Sequence, residues 1–194
     1  MSGPDPLAPI SPSEIRIPGA RALVRTIHQD PRGLLVEMLR SDDGAVDGRH
    51  FAMAYTSVTV PGEFRDRDRW HVHQVQSDRF VVPLGEMILA LYDGRADSPT
   101  HGVLHTVRMS GPPPDRPGAA AAGARQTYLV PIPPGVYHCI GNLSDQPFVL
   151  VNFPTELYNA SDEGRVPFTT LPIPSLGRPF RWDEVPRTGG AGSR

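Results

Sequence analysis

The chain has 194 residues, enough for one sizeable hydrophobic core and too few for two comfortable domains. Its formal net charge is −2 with no basic block, so the sequence gives no support to binding of nucleic acid or of a membrane surface. It contains neither a bilayer-spanning apolar stretch nor an N-terminal signal-peptide pattern. The single cysteine, Cys139, excludes an intrachain disulfide and favours a cytoplasmic protein. All 19 basic residues are arginines, which excludes catalysis by a lysine side chain.

Short segments with strand character follow one another along the chain after a flexible arm predicted for residues 1–18. Residues 21–28 and 34–40 flank a hairpin-like break, and residues 51–60 alternate between apolar and polar types. Residues 80–91 are almost wholly apolar around a Pro-Leu-Gly-Glu stretch, which predicts two buried strands joined by a tight turn. Further strands are predicted at 103–109, 126–132 and 148–153, with a low-complexity loop at 111–123.

This spacing of strands and turns, without an amphipathic helix, predicts an all-β fold with antiparallel strands. A sandwich or barrel fits, and a jelly roll is the obvious candidate. The predicted division is an arm at 1–18, a barrel at 19–160 and a C-terminal extension at 161–194.

Two short stretches, about sixty residues apart, carry side chains suited to a metal ion. The first holds His71, His73 and Asp78, and the second holds His138 and Asn142. Because side chains alternate along a strand, the H-x-H pair points both imidazoles to one face. The three histidines with the carboxylate would suit one divalent ion, such as iron, manganese, nickel or zinc. Taken singly, each histidine is more often an ordinary hydrogen-bonded residue, and the carboxylate is more often an ordinary ion-pair partner.

In order and spacing, the two stretches resemble the two motifs of the cupin superfamily, with Asp78 where glutamate is commoner. The resemblance implies a cupin double-stranded β-helix, which is an antiparallel jelly roll. It also implies that the predicted ligands point inward at one end of the barrel.

A second resemblance is more specific about function. The D-P-R-G-L-L-V-E stretch at 30–37, the S-P-T-H-G stretch at 98–102 and the P-P-G-V-Y-H stretch at 133–138 resemble, in order, motifs of the dTDP-4-dehydrorhamnose 3,5-epimerase family. That family is itself a cupin jelly roll. The resemblance implies a nucleotide-linked sugar as substrate, with Arg32, Glu37 and Arg69 among the residues that hold it. It also implies a homodimer in which the segment 32–37 reaches the partner's sheet.

The sequence differs from the family at three catalytic positions. The family's active-site lysine would fall near Asp78, and its tyrosine acid would fall near Asn152. The aspartate that orients the family's histidine base has no clear counterpart, with Asp162 and Asp183 as candidates. The base itself corresponds to one of the two histidines of the H-x-H pair.

The first hypothesis is therefore an epimerase or isomerase that removes a proton next to a carbonyl in a biosynthetic pathway. In it His73 is the base, His138 polarises the carbonyl, directly or through a metal, and Tyr137 can move a proton. Asn142 joins the substrate-binding residues, and no organic cofactor is expected. The alternatives are a metal-dependent cupin of another type, namely a non-haem Fe(II) oxygenase, isomerase or lyase, and a non-catalytic cupin that binds a small molecule.

Overall fold

The protein is described by a computed structural model that covers residues 5–43, 52–112 and 126–187. The strands in these ranges are β1 (Leu23–Arg25), β2 (Ile27–Asp30), β3 (Gly33–Val36), β4 (Tyr55–Thr59), β5 (Arg69–His73), β6 (Asp78–Leu84), β7 (Glu86–Asp93), β8 (Leu104–Ser110), β9 (Thr127–Ile132), β10 (Val136–Gly141), β11 (Phe148–Asn152) and β12 (Glu163–Pro167). Three single-turn 3-10 helices are the only helical segments in the same ranges. None of the described helices is long and apolar enough to cross a membrane.

Two five-stranded sheets face each other. Sheet A has the order β12-β5-β10-β7-β8, and sheet B has the order β1-β9-β6-β11-β4. All pairings between neighbouring strands of the two sheets are antiparallel. The predicted cupin jelly roll is thereby confirmed. Strands β2 and β3 form a separate hairpin that pairs with neither sheet.

The tight turn predicted between two apolar strands lies at Gly85, between β6 and β7. Its φ of 78° is a left-handed conformation that favours glycine. A Cβ at this position would lie 2.4 Å from the carbonyl oxygen of Pro147, so no other residue fits without a backbone shift.

Two apolar clusters hold the sheets in place. One lies between the sheets and includes Phe80, Leu89 and Phe148, all nearly inaccessible to solvent. The other covers the outer face of sheet A, where Trp70 packs against Phe180 with ring centroids 5.2 Å apart. Burial of such large side chains contributes about 25 cal/mol per Å² of apolar area removed from water.

Both ends of the described chain are more closely packed than the predicted division implies. From residue 5 onward, the N-terminal segment buries Leu7 and Ile17 and pairs Ile10 with Val107 of β8. The C-terminal segment supplies β12, which pairs with β5, and adds Trp182 to the outer cluster. These segments are rich in proline and glycine, so the sequence did not predict that their isolated apolar residues are buried. Most of the predicted loop at 111–123 lies outside the described residues.

The loop that follows β7, which contains the S-P-T-H-G stretch, surrounds the buried carboxylate of Asp93. Arg95 donates from Nε at 2.8 Å and from Nη2 at 2.9 Å, and the hydroxyls of Ser98 and Thr100 each donate at 2.6 Å. Burial alone would raise the pKa of Asp93, but these donors hold it well below its usual range. This distinctive motif therefore closes the loop after β7 in the described protomer.

We expect Asp93→Asn to lower the free energy of unfolding by about 3 kcal/mol, because it leaves the partly buried guanidinium of Arg95 without its counter-charge. Chemical denaturation measures the change. The matched control is Asp183→Asn, which removes the carboxylate of an exposed ion pair with Arg181. Equal stability of Asp93→Asn and the unchanged protein would contradict a stabilising role for the cluster.

Candidate active site

A pocket of about 440 Å³ opens between the two sheets at one end of the barrel. This volume is within the range of small-molecule sites. All four predicted ligand residues line it, namely His71, His73, Asp78 and His138. The fold thus brings together residues that are far apart in the sequence.

Strand alternation explains how the histidines share this space. On β5, His71 and His73 face the pocket, while the intervening Val72 is buried on the other side. His138 of β10 lies directly opposite His71 in the strand register. The ring centroid of His71 is 4.6 Å from that of His73 and 5.1 Å from that of His138.

His73 is held between a carboxylate and an amide. Its Nδ1 lies 3.3 Å from Oδ2 of Asp162, and its Nε2 lies 3.1 Å from the side-chain nitrogen of Gln76. Burial alone would raise the pKa of Asp162, but N–H groups of Gln76, Gln74 and Val75 keep it below its usual value. An ionised Asp162 favours the tautomer with the proton on Nδ1, which leaves the Nε2 lone pair of His73 for a proton.

Asp78 is the buried acceptor at the centre of the site. Its Oδ1 accepts from the amides of Gln76 at 2.9 Å and Asn152 at 2.8 Å, and its Oδ2 lies 3.3 Å from Nε2 of His138. Burial alone would raise the pKa of Asp78, but His138 and Asn152 lower it to about 2. Nδ1 of His138 lies 3.2 Å from the carbonyl oxygen of Val136. Both ring nitrogens of His138 therefore face acceptors, an arrangement that a doubly protonated ring satisfies fully.

His71 is in the opposite situation. Burial, followed by the charges of His138 and His73, lowers its pKa to about 3, so this ring is neutral at physiological pH. Its Nε2 lies 3.3 Å from Oε1 of Glu163. The same Oε1 accepts from Nη2 of Arg165 at 2.5 Å.

The predicted metal ligands share the pocket without forming a ligand set. Within the described ranges, no group of three or more His, Cys, Asp or Glu side chains is arranged to hold a metal ion. Nε2 of His73 lies 3.9 Å from Oδ2 of Asp78, and both oxygens of that carboxylate already face hydrogen-bond donors. The metal ion stays a prediction.

Tyr137 lies away from the pocket. It neighbours His138 on β10, so alternation turns it to the opposite face of sheet A. There its ring lies 5.9 Å from that of Tyr92 and close against Gly94. These contacts indicate a packing role for Tyr137 in place of the predicted proton transfer.

Asn142 is buried and holds a turn together. Its amide nitrogen donates to the carbonyl oxygens of Thr59 at 2.9 Å and Gln146 at 2.8 Å. Its oxygen accepts from the backbone N–H of Ser144 at 3.1 Å. These bonds leave no amide proton for a substrate, so we assign Asn142 a structural role.

The predicted substrate-binding charges do not line the pocket in the described protomer. Arg32 is exposed at the turn between β2 and β3, and Glu37 follows β3, where it pairs with His28. Arg69 is exposed at the start of β5. The arginines that do line the pocket are Arg65 and Arg165, and sequence analysis assigned neither of them to the site.

Three further pocket residues escaped sequence analysis. Gln76 lies two residues before Asp78, a spacing that could have suggested a shared face. Tyr55 lies on a predicted alternating strand, but nothing in the sequence identified its partner. Glu163 belongs to β12, which has no clear hydrophobic pattern.

Comparisons with known proteins agree with this fold. No family model matches the chain. A probable low-salt glycan biosynthesis epimerase of Haloferax volcanii is 35% identical over 147 residues, which cover 73% of this chain and 82% of that protein. The spore coat polysaccharide biosynthesis protein SpsL of Bacillus subtilis is 32% identical over 143 residues, which cover 73% of this chain and 83% of that protein.

A solved structure extends the similarity to most of the chain. The dTDP sugar isomerase of Desulfovibrio desulfuricans is 25% identical, with a TM-score of 0.64. The match covers 89% of this chain and 98% of that one.

Proposed function

The chain belongs to the RmlC-like cupin family of sugar-nucleotide epimerases, and we propose that it inverts a carbon next to the ketone of a nucleotide-linked deoxy-keto sugar. The observation that carries this proposal is the contact of Asp162 with His73, which lines a pocket of sugar-binding size. Proton abstraction next to a carbonyl needs a positioned base and a group that stabilises the enolate.

His73 is the proposed base. The carboxylate of Asp162 would stabilise the imidazolium that forms when Nε2 accepts the substrate proton, because Nδ1 and Oδ2 are 3.3 Å apart. Substrate would displace Gln76, whose amide faces the same Nε2 in the described structure. A general base placed in this way contributes typically 10²–10⁴-fold to a rate.

His138 is the proposed stabiliser of the enolate oxygen. Its two acceptors, Asp78 and the carbonyl oxygen of Val136, favour a cationic ring in a pocket that contains no lysine. A positive charge fixed next to the developing oxyanion lowers the barrier without reorganisation. Arg65 and Arg165 line the same pocket and are proposed to hold the substrate's diphosphate.

We expect His73→Asn to abolish solvent deuterium incorporation next to the ketone of dTDP-4-keto-6-deoxyglucose, because no other group in the proposed mechanism takes that proton. Mass spectrometry and proton NMR of the sugar measure the exchange. The matched control is His101→Asn, since His101 is exposed and hydrogen-bonds to the backbone of Arg95. Exchange at the unchanged rate in His73→Asn would assign the base elsewhere. Substrate binding without exchange in the unchanged protein would favour the non-catalytic alternative.

A homodimer is proposed as the active unit, in a cytoplasmic setting that the free thiol of Cys139 supports. The β2–β3 hairpin pairs with neither sheet of its own protomer, and Leu35 on it is 58% exposed. Covering this hairpin with a partner's sheet would bury its apolar side chain and carry Arg32 and Glu37 towards the partner's pocket.

We expect a dimeric mass by light scattering at micromolar concentration, and a monomeric mass for Leu35→Asp, because a charge there opposes burial. Leu157→Asp is the control, since Leu157 is 66% exposed on the loop after β11. A monomeric mass for the unchanged protein would exclude this assembly.

A metal-dependent reaction of another type is the second candidate. The observation in its favour is the proximity of three histidine rings and Asp78 in one pocket. A divalent ion there would act as a Lewis acid at the substrate oxygen.

Elemental analysis after purification without chelator or metal resin distinguishes the two candidates. For the epimerase mechanism proposed here we expect no stoichiometric metal ion and unchanged exchange after treatment with a chelator. A stoichiometric ion that is lost in Asp78→Ala, together with oxygen consumption on another substrate, would favour the metal-dependent enzyme.

A further inference from the structure

On the basis of the epimerase function proposed above, we infer that the hydroxyl of Tyr55 returns the proton to the substrate carbon from the face opposite His73. Inversion requires two groups, because a proton that leaves and returns through one group on one face preserves the configuration. The second group must carry a proton at neutral pH and must approach from the other wall of the pocket.

Tyr55 and His73 belong to opposite walls. His73 ends β5 in sheet A, whereas Tyr55 begins β4 at the edge of sheet B. Both residues line the same pocket. Side chains alternate along β4, so Tyr55 and Ser57 share one face, and both line the pocket. Val58 lies on the opposite, outer face and is 56% exposed.

A hydrogen-bond network fixes the direction of the phenolic proton. Asn152 is the register partner of Tyr55, and its side-chain oxygen accepts from the backbone N–H of Arg79 at 2.8 Å. The amide nitrogen of Asn152 must therefore face Asp78, at 2.8 Å, and the hydroxyl of Tyr55, at 2.9 Å. Tyr55 accepts this bond, so its own O–H is left to donate to a substrate. Asn152 is the positioning residue.

The other polar side chains on this wall are less suited to the task. Asp78 accepts at both carboxylate oxygens and has no proton to give. A hydroxyl such as that of Ser57 is a much weaker acid than a phenol. The permanently charged Arg65 donates to Thr59 and to the carbonyl oxygen of Val58.

The environment keeps Tyr55 protonated until it reacts. Burial and then the negative charge of Asp78 raise its pKa above the usual value. The residue is nevertheless 43% exposed, so water can restore its proton after product leaves.

The reaction balances as two proton transfers. His73 Nε2 takes the proton from the carbon next to the ketone, and the electrons of that C–H bond form the enolate. The enolate carbon then takes the proton of Tyr55 from the opposite face, and the ketone reforms with inverted configuration. The protein is left with a protonated His73 and a phenolate at Tyr55, and exchange with solvent restores both.

The test follows inversion and exchange separately in D₂O. The probes are dTDP-4-keto-6-deoxyglucose and the 4-keto-6-deoxy sugars of UDP and GDP, with each purified variant checked by near-UV circular dichroism. We expect Tyr55→Phe to lose inversion by at least about 100-fold while His73 still introduces deuterium with retained configuration. His73→Asn should lose both. Such a split between exchange and inversion does not arise from a merely structural change.

Two variants serve as matched controls. Tyr158→Phe removes the hydroxyl of the other pocket tyrosine, which lies 3.3 Å from Oε2 of Glu163 and is 70% exposed as a residue. Ser57→Ala removes the neighbouring hydroxyl on the same strand face. Both should keep inversion within about threefold of the unchanged protein, far less than the loss expected for a proton donor.

The outcomes separate this inference from the proposed function. If the unchanged protein inverts a probe and Tyr55→Phe does so within threefold of its rate, Tyr55 is not the donor and the epimerase function stands. Loss of inversion in Tyr158→Phe or Ser57→Ala, with Tyr55→Phe active, would assign the donor to that residue. Absence of exchange on all three probes in the unchanged protein would overturn both proposals together.

Discussion

The polar side of the pocket depends on one ionised carboxylate, that of Asp78, buried where water cannot solvate it. An isolated charge in this position would be costly, and the protein compensates with donors at both oxygens. The amides of Gln76 and Asn152 bind one oxygen, and His138 faces the other. Each donor is thereby oriented, and the two amides in turn touch another functional group. Gln76 reaches His73, and Asn152 reaches Tyr55.

Sheet geometry supplies the rest of the site. Neighbouring strands β5 and β10 of sheet A bring His71 next to His138, and strands β6, β11 and β4 of sheet B run side by side opposite them. A residue on β6 can therefore touch Asn152 on β11, which in turn touches Tyr55 on β4. Antiparallel pairing fixes these positions to within one residue, because a slip by one would turn every side chain to the wrong face.

Period-two alternation was the most reliable guide from sequence to structure. It predicted that His71 and His73 share a face, and the same rule, applied to β10, would have turned Tyr137 away from His138. The jelly roll followed from strand spacing and turn residues, and the family follows from the comparisons. Asn142 could not be assigned from sequence, because its bonds are to backbone atoms that only the folded turn brings near. Strand β12 has no clear hydrophobic pattern, so its Glu163 was also missed.

The residues found at two of the changed catalytic positions, Asp78 and Asn152, can be explained together. The family resemblance implies a lysine near Asp78 and a tyrosine near Asn152. A carboxylate in place of an ammonium reverses the local charge, and the imidazole of His138 faces this carboxylate with its Nε2 3.3 Å from Oδ2. An amide at Asn152 then suits the site better than a phenol, because it gives one hydrogen to the carboxylate and the other to Tyr55. The side chains that could supply a positive charge and a hydroxyl, His138 and Tyr55, thus lie on β10 and β4, and both line the pocket.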